Sequence, residues 1–165
     1  MDVVYTKSKH TDLLFMLTIR LDRHGDTAIG AVPDKLLVEW CKVSPGDRCV
    51  FAAQTCKLFE RSNPRESGDE AVIGVSNIAI NLLALAPEKR KVLETLVSRF
   101  QPNSWSGSLA AIMRHRLQYL KQLNPTGDEE LMPLIEEMNE RLSKIIESQE
   151  QSEQTMERSE TSSFE

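Results

Sequence analysis

Apolar residues recur along the chain at the spacing of helix faces, in stretches that Pro, Gly, Ser and Asp separate. The first clear helix begins at Pro33 and Asp34, with Asp34 as its N-cap. Its apolar positions, spaced to share one face, are Leu36, Leu37, Trp40 and Cys41. Because Ser44 precedes a proline, a second helix is predicted from Pro45 to about Phe59. Its buried side chains are expected to be Cys49, Ala52, Ala53, Cys56 and Phe59.

The rest of the chain continues this pattern. Residues 61–70 contain no apolar side chain, which predicts an exposed loop. Residues 73–85 are apolar nearly all round, as a central helix requires. Three further helices are predicted over residues 87–100, 108–123 and 131–146. The last one has the narrow seam of a helix–helix contact, formed by Leu131, Ile135, Met138, Leu142 and Ile145.

The predicted helices form pairs near residues 34–59, 71–100 and 108–146. The pairs start about 37 residues apart, from 34 to 71 and from 71 to 108. A period of this size with two helices per unit is typical of an α-solenoid, in which each unit hides its apolar face against the next. Residues 12–23 are also strongly apolar, and we interpret them as a helix, although a strand fits the pattern as well. The fold class is therefore predicted as all-α, a short solenoid.

Charge divides the chain into two parts. The net charge of −5 combines +4 over residues 1–125 with −9 over residues 126–165. Beyond Ile146 the sequence is almost entirely Glu, Gln and Ser, which cannot bury enough apolar surface to offset the entropy of ordering. We therefore expect a helical-repeat domain over residues 1–146 and an acidic tail over 147–165 that is frayed helix and then largely disordered.

Aromatic residues make up 5% of the chain and there are 7 glycines, which argues against a β-sandwich or barrel. Three cysteines close together, and no leader-like segment, favour the cytoplasm over an oxidising compartment. No apolar run is long enough to cross a membrane, so no membrane association is expected.

Candidate chemistry is sparse. Asp22, His24 and Asp26 could ligate a metal, but a solvated turn is the favoured interpretation because no fourth ligand is near. Cys41, Cys49 and Cys56 lack the CxxC spacing of zinc sites and are interpreted as buried apolar side chains. The Ser-Trp-Ser-Gly-Ser run at residues 104–108 lacks the glycines of a nucleophile elbow, and a serine N-cap explains it. We expect no catalytic activity, metal or cofactor.

Several local sequences resemble HEAT-like helical segments at the C-terminal ends of large bacterial proteins. The resemblance covers residues 33–125 and the acidic end with its terminal Phe164 and Glu165. It rests on Trp40-Cys41, on Ser44-Pro45 with Arg48, and on the stretch 76–117 with Ala86-Pro87, Val92-Leu93, Ser98-Arg99-Phe100 and residues 104–108. It implies a chain similar to the last units of a longer solenoid, with a cut or partner-facing surface around Leu13 to Leu21. A complete domain with an N-terminal capping helix is the other interpretation.

Two functions remain open. The first is a non-enzymatic protein–protein interaction module or adaptor, which binds a partner protein or self-associates, with a partner face at Leu13, Phe15, Leu17 and Trp105. The second is a small nucleic-acid-binding subunit of a larger bacterial complex, in the manner of the helical subunits of CRISPR surveillance complexes. Its phosphate contacts would be made by Arg90, Lys91, Arg114, Arg116 and Lys121. Nucleic acid is the less favoured partner, because a net charge of +4 over residues 1–125 is small for non-specific binding.

Overall fold

A computed structural model of the chain describes residues 32–62 and 71–161, with side chains as far as residue 156. This part of the chain is mostly helical, with one small antiparallel sheet. Its elements are α1 (Asp34–Val43), α2 (Pro45–Thr55), β1 (Phe59–Arg61), β2 (Val72–Val75), α3 (Asn77–Leu85), α4 (Lys89–Ser98), α5 (Leu109–Leu117), a 3-10 turn (Leu120–Leu123) and α6 (Leu131–Thr161). The predicted helix over residues 12–23 lies outside the described residues.

The helices pack as consecutive pairs. Helix α1 contacts α2, α3 contacts α4, and α5 contacts α6. The first pair packs on the second through α1 with α3 and through α2 with both α3 and α4, and the second pair packs on the third mainly through α4 with α6. One contiguous apolar core runs through these contacts, from Leu37 in α1 to Ile146 in α6. The predicted predominance of helices is confirmed.

Residues 72–75 form a strand where the sequence predicted the beginning of a helix. β2 pairs with β1 in antiparallel register, with Phe59 opposite Val75, so Phe59 also lies in a strand and α2 ends earlier, at Thr55. Ser76 explains the boundary, because its hydroxyl accepts a hydrogen bond from the Ala79 N–H and caps α3. The residues before it are β-branched around Gly74, a composition that favours a strand over a helix.

Helix α6 is longer than predicted and extends through most of the segment that the sequence predicted to be largely disordered. It contains 31 residues, so it is about 46 Å long at the standard rise per residue. Its buried stripe also departs from the prediction, since Ile146 is 2% exposed whereas Ile145 is 41% exposed. The prediction failed at this point because the polar side chains beyond Ile146 bond to α5, a contact that a hydrophobic pattern does not reveal.

Two arginines connect the pairs inside the fold. Arg99, at the end of α4, donates to the carbonyls of Ala53 (2.8 Å) and Cys56 (2.7 Å) at the end of α2. Arg116, in α5, is 7% exposed and donates to the Phe100 carbonyl at 3.0 Å. A guanidinium can donate to several carbonyls at once. Each arginine therefore supplies hydrogen bonds to carbonyls that the helix ends leave without partners.

No helix within residues 32–62 and 71–161 combines the length and the apolar character that a membrane span needs.

Candidate functional site

Helix α1 carries apolar side chains on its outer side as well as toward the core. Leu37 and Cys41 are buried, but Leu36 is 60% exposed and Val43 is 76% exposed. Leu36, Trp40 and Val43 follow one another at the i, i+4, i+7 spacing of a single helix side. These three residues are referred to below as the α1 face.

The middle residue of this face is held in place by α2. The guanidinium of Arg48 lies 4.8 Å from the centre of the Trp40 ring and donates to the Trp40 carbonyl at 2.9 Å. Phe51 contacts the same ring edge-on, with ring centres 6.0 Å apart. A tryptophan fixed from two sides loses little conformational entropy when another surface packs on it, which suits it for recognition.

The α1 face differs from what the sequence predicted. Leu36 was placed on the buried side together with Leu37, Trp40 and Cys41, but it lies on the outer side of the helix. The error has a simple cause: five apolar residues in six positions cover more of the circumference than α2 and α3 can bury. The spacing of Leu36 and Val43, seven residues apart, was the signal that could have identified a second apolar side.

The predicted partner face is only partly within the described residues. Leu13, Phe15 and Leu17 lie outside them, as do the candidate metal ligands Asp22, His24 and Asp26. Trp105 lies in the corner between α4 and α5 and is 49% exposed. This corner precedes α5, which packs on α6, whereas α1 packs on α2 and α3. The structure therefore does not place Trp105 on the α1 face.

The five candidate phosphate-binding residues are not a common surface of unpaired cations. Arg90 binds Glu137 at 2.7 Å, Lys91 binds Glu88 at 2.8 Å, and Arg114 binds Glu150 at 2.6 Å. Arg116 is the buried side chain that bonds to the Phe100 carbonyl, whereas Lys121 is exposed. Phosphate would have to displace three carboxylates, and this arrangement weighs against the nucleic-acid interpretation.

A cleft of about 390 Å³ lies at the beginning of α4, but its charges are satisfied within the chain. Lys89 bridges Asp128 (2.6 Å) and Glu130 (2.8 Å). The ion pair with Asp128 raises the pKa of Lys89, and the same contact lowers the pKa of Asp128. These pairs fix α4 to the beginning of α6, a structural role.

The C-terminal part of α6 caps the first turn of α5. The Glu153 carboxylate accepts hydrogen bonds from the Ser108 hydroxyl (2.6 Å) and from the N–H groups of Leu109 (3.0 Å) and Ala110 (3.2 Å). These bonds, the one from Ser108 first, lower the pKa of Glu153. Ser108 itself caps α5, which confirms the predicted serine N-cap. Sequence analysis missed Glu153, because 44 residues separate it from Leu109.

The three cysteines are free thiols and all are buried. The pKa of Cys41 is raised by its hydrogen bond with Cys49 and by burial, and burial raises the pKa of Cys56. Among the described residues, no group of three or more His, Cys, Asp or Glu side chains is placed to hold a metal ion. The thiols act here as small core side chains, in line with their expected role.

On the α1 face, Leu36 and Val43 are exposed and the half-buried Trp40 between them is fixed by α2. Comparison with known proteins adds no identity, since no family model, curated protein or solved structure matches the chain.

Proposed function

We propose that this chain is a non-enzymatic protein–protein interaction module, a short HEAT-like stack of helix pairs that binds a partner protein through the α1 face. The observation that carries the proposal is the exposure of Leu36 and Val43, at 60% and 76%, on the same side of one helix beside a fixed tryptophan. Apolar side chains that cluster on one side of a rigid element are typical of interaction sites.

The order of packing supports this choice of surface. Among the described elements, the second pair is covered on both sides, by α1 and α2 and by α6, whereas the first pair packs mainly on α3 and α4. A stacked architecture leaves its terminal unit with an outer side that needs either a polar cap or a partner. α1 has apolar side chains at that position, which favours a partner.

The chemistry of the face indicates the kind of partner. Three side chains at i, i+4, i+7 form a ridge that an apolar helix side can pack against, with Lys35, Glu39 and Lys42 as a polar border. Full burial of an aliphatic side chain of this size contributes about 1.5–3 kcal/mol. We therefore propose an amphipathic helix of another protein as the partner element.

The three free, buried thiols support a reducing setting such as the cytoplasm for this proposed module.

Site-specific photo-crosslinking in the native host tests the proposal. A photoreactive amino acid replaces Val43 in one variant and Ile73 in a matched control, because Ile73 is a comparably exposed β-branched residue on the hairpin, at 56%. We expect one defined protein adduct from position 43, its loss when Leu36→Asp is added, and no such adduct from position 73. The same adducts from both positions, or none from position 43, would contradict the proposal.

A further inference from the structure

Cys41 in α1 and Cys49 in α2 are buried next to each other, with a hydrogen bond between their thiols. We propose that this pair is an oxidation site, at which a peroxide converts the two thiols into a disulfide that links α1 covalently to α2. The disulfide would hold the first helix pair together with or without a partner at the α1 face, so its test is independent of the proposed function.

The fold brings the two sulfur atoms together. Cys41 lies in the last turn of α1, Cys49 lies in the second turn of α2, and Ser44 alone separates the two helices. The Cys41 sulfur is 3.6 Å from the carbonyl oxygen of Arg48, the residue that precedes Cys49. Because the two thiols are also hydrogen-bonded to each other, a disulfide needs only a small approach of their sulfur atoms, which are about 2 Å apart in the bond.

The third cysteine is outside this pair. Cys56 follows Cys49 by seven residues, a distance of about 10 Å along a helix. Its sulfur lies 3.8 Å from a guanidinium nitrogen of Arg99, at the end of α4. Cys49 and Cys56 therefore cannot form a disulfide while α2 stays helical, and Cys56 serves below as the matched control.

An oxidant reaches the pair more easily than it reaches Cys56. All three thiols are at most 2% exposed, but fewer protein atoms surround Cys41 and Cys49 than Cys56. Residues 44–47, at the corner between the two helices, are exposed or half-buried. Hydrogen peroxide is little larger than water, so a small local separation of α1 from α2 is enough to admit it.

The hydrogen bond between the thiols assigns the first reaction step to Cys49. It lowers the pKa of Cys49, which accepts the bond, and raises the pKa of Cys41, which donates it. The thiolate is the form of cysteine that attacks peroxides. The Cys49 thiolate therefore bonds to one oxygen of hydrogen peroxide and the O–O bond breaks, which leaves a Cys49 sulfenic acid. The departing hydroxide takes up the proton that Cys49 released and becomes water.

Cys41 completes the disulfide. Its sulfur attacks the sulfur of the Cys49 sulfenic acid, the S–O bond breaks, and the hydroxyl group leaves with the Cys41 proton as a second water. Two thiols and one hydrogen peroxide thus give one disulfide and two waters, and the two electrons that the sulfur atoms lose reduce the O–O bond. A thiol reductant reverses the product by disulfide exchange.

Thiol mapping of the full-length protein tests the site. The protein is treated with hydrogen peroxide and unfolded, its remaining thiols are alkylated, and chymotrypsin cleaves it without reduction. Cleavage after Trp40 and Phe51 releases residues 41–51, which contain both members of the pair but not Cys56. We expect this fragment to be unalkylated and lighter by two hydrogens, Cys56 to be alkylated, and dithiothreitol to restore three alkylated thiols.

Two variants complete the mapping. Cys56→Ser is the matched control and should give the same oxidised fragment, whereas Cys49→Ser should give none. Wild type and Cys56→Ser decide the test by themselves if Cys49→Ser does not fold. A 41–51 fragment that is alkylated or has gained oxygen, a disulfide that contains Cys56, or a disulfide between two chains would overturn the proposal.

Amide hydrogen exchange then measures whether the disulfide holds α1 on α2. Exchange is compared between the oxidised and the reduced protein for α1 and, as an internal control, for α5. We expect the α1 amides to exchange at least about fivefold more slowly after oxidation, relative to those of α5, because a covalent link limits the separation of α1 from α2. The same ratio of α1 to α5 exchange rates in both states would contradict a link that strengthens the first helix pair.

Discussion

Two packing regions of this molecule, called joints below, are built differently. The first, between α1–α2 and α3–α4, is apolar and contains Phe100 at 0% exposure with Arg99 bonded to buried carbonyls. The second, between α4–α5 and α6, has an apolar stripe but is bordered by charged contacts at Asp128, Glu137 and Glu153. Burial stabilises the first joint, whereas much of the specific contact in the second is electrostatic and exposed to salt and pH.

The two joints therefore contribute differently to the stability of the fold and to the orientation of its helices. Apolar burial in the first joint contributes free energy but little directional information. The ion pairs and the helix cap in the second joint contribute less free energy, but they fix the register of a 31-residue helix along two shorter ones.

The largest expected effect comes from Phe100→Ala in the first joint. Phe100 contacts Phe59 edge-on, with ring centres 5.1 Å apart, and its side chain is fully buried. Loss of the ring should lower the free energy of unfolding by about 3–5 kcal/mol, measured by chemical denaturation. Ile73→Ala, at 56% exposure, is the control and should change it by less than about 1 kcal/mol. An equal effect of the two would contradict stabilisation of the first joint by apolar burial.

Arg99→Met should have the next largest effect. It removes the donors that the Ala53 and Cys56 carbonyls use while it keeps much of the side-chain volume. Each buried acceptor left without a partner costs about 1–3 kcal/mol, and because both bonds are only partly buried we expect the lower part of the summed range, a loss of about 2–4 kcal/mol in unfolding free energy. Arg90→Met, which breaks the exposed ion pairs with Glu137 and Glu94, should lower the unfolding free energy far less than Arg99→Met. If both cost the same, Arg99 is not an internal connector.

Gly74→Ala should cost about 1–3 kcal/mol, because the added methyl would lie 2.8 Å from the Gln122 side-chain oxygen. That oxygen accepts the Val75 N–H at 3.1 Å, so the Gln122 amide cannot move away without leaving the donor unpaired. In a double-mutant cycle with Gln122→Ala, the double variant should lose less unfolding free energy than the two single variants lose in sum. Strict additivity would contradict a direct contact.

Much of this fold follows from the sequence and some of it does not. The helices, the corner at Ala86 and Pro87, and the cap at Ser108 follow from local patterns. The hairpin does not, because apolar residues that continue into α3 hide the strand and only the Ser76 cap marks where it ends. Contacts between distant positions, such as Glu153 with Leu109, leave no periodic signal.

The same reason explains the candidate site. Leu36 and Val43 are visible in the sequence, but their exposure depends on which neighbours cover α1, which is a tertiary property. The basic residues were visible too, and only the structure shows that carboxylates on α6 pair with Arg90 and Arg114.

A smaller effect is expected at the second joint, in acid. The pKa of Glu153 in the folded state is lower than the ordinary value of 4.5. Glu153 therefore stabilises the fold at pH values above 4.5, and this contribution is lost as the pH falls through the folded-state pKa. Glu153→Gln should therefore flatten the fall in melting temperature below about pH 4.5 and have little effect on its slope near neutrality. Glu147→Gln, exposed on the same helix, is the matched control. Identical acid profiles for the two variants would show that Glu153 does not clamp α5.

The smallest effect on stability is expected at the α1 face, where Leu36→Asp should change the unfolding free energy by less than about 1 kcal/mol. Its effect on binding is the most direct test of the central claim. Once the protein crosslinked from position 43 is purified, its dissociation constant is measured by calorimetry with wild type, with Leu36→Asp and with the equally exposed control Ile73→Asp. We predict that Leu36→Asp weakens binding at least tenfold, a loss of about 1.4 kcal/mol, and that Ile73→Asp leaves it unchanged. Equal dissociation constants for wild type and Leu36→Asp would contradict the α1 face as the binding surface.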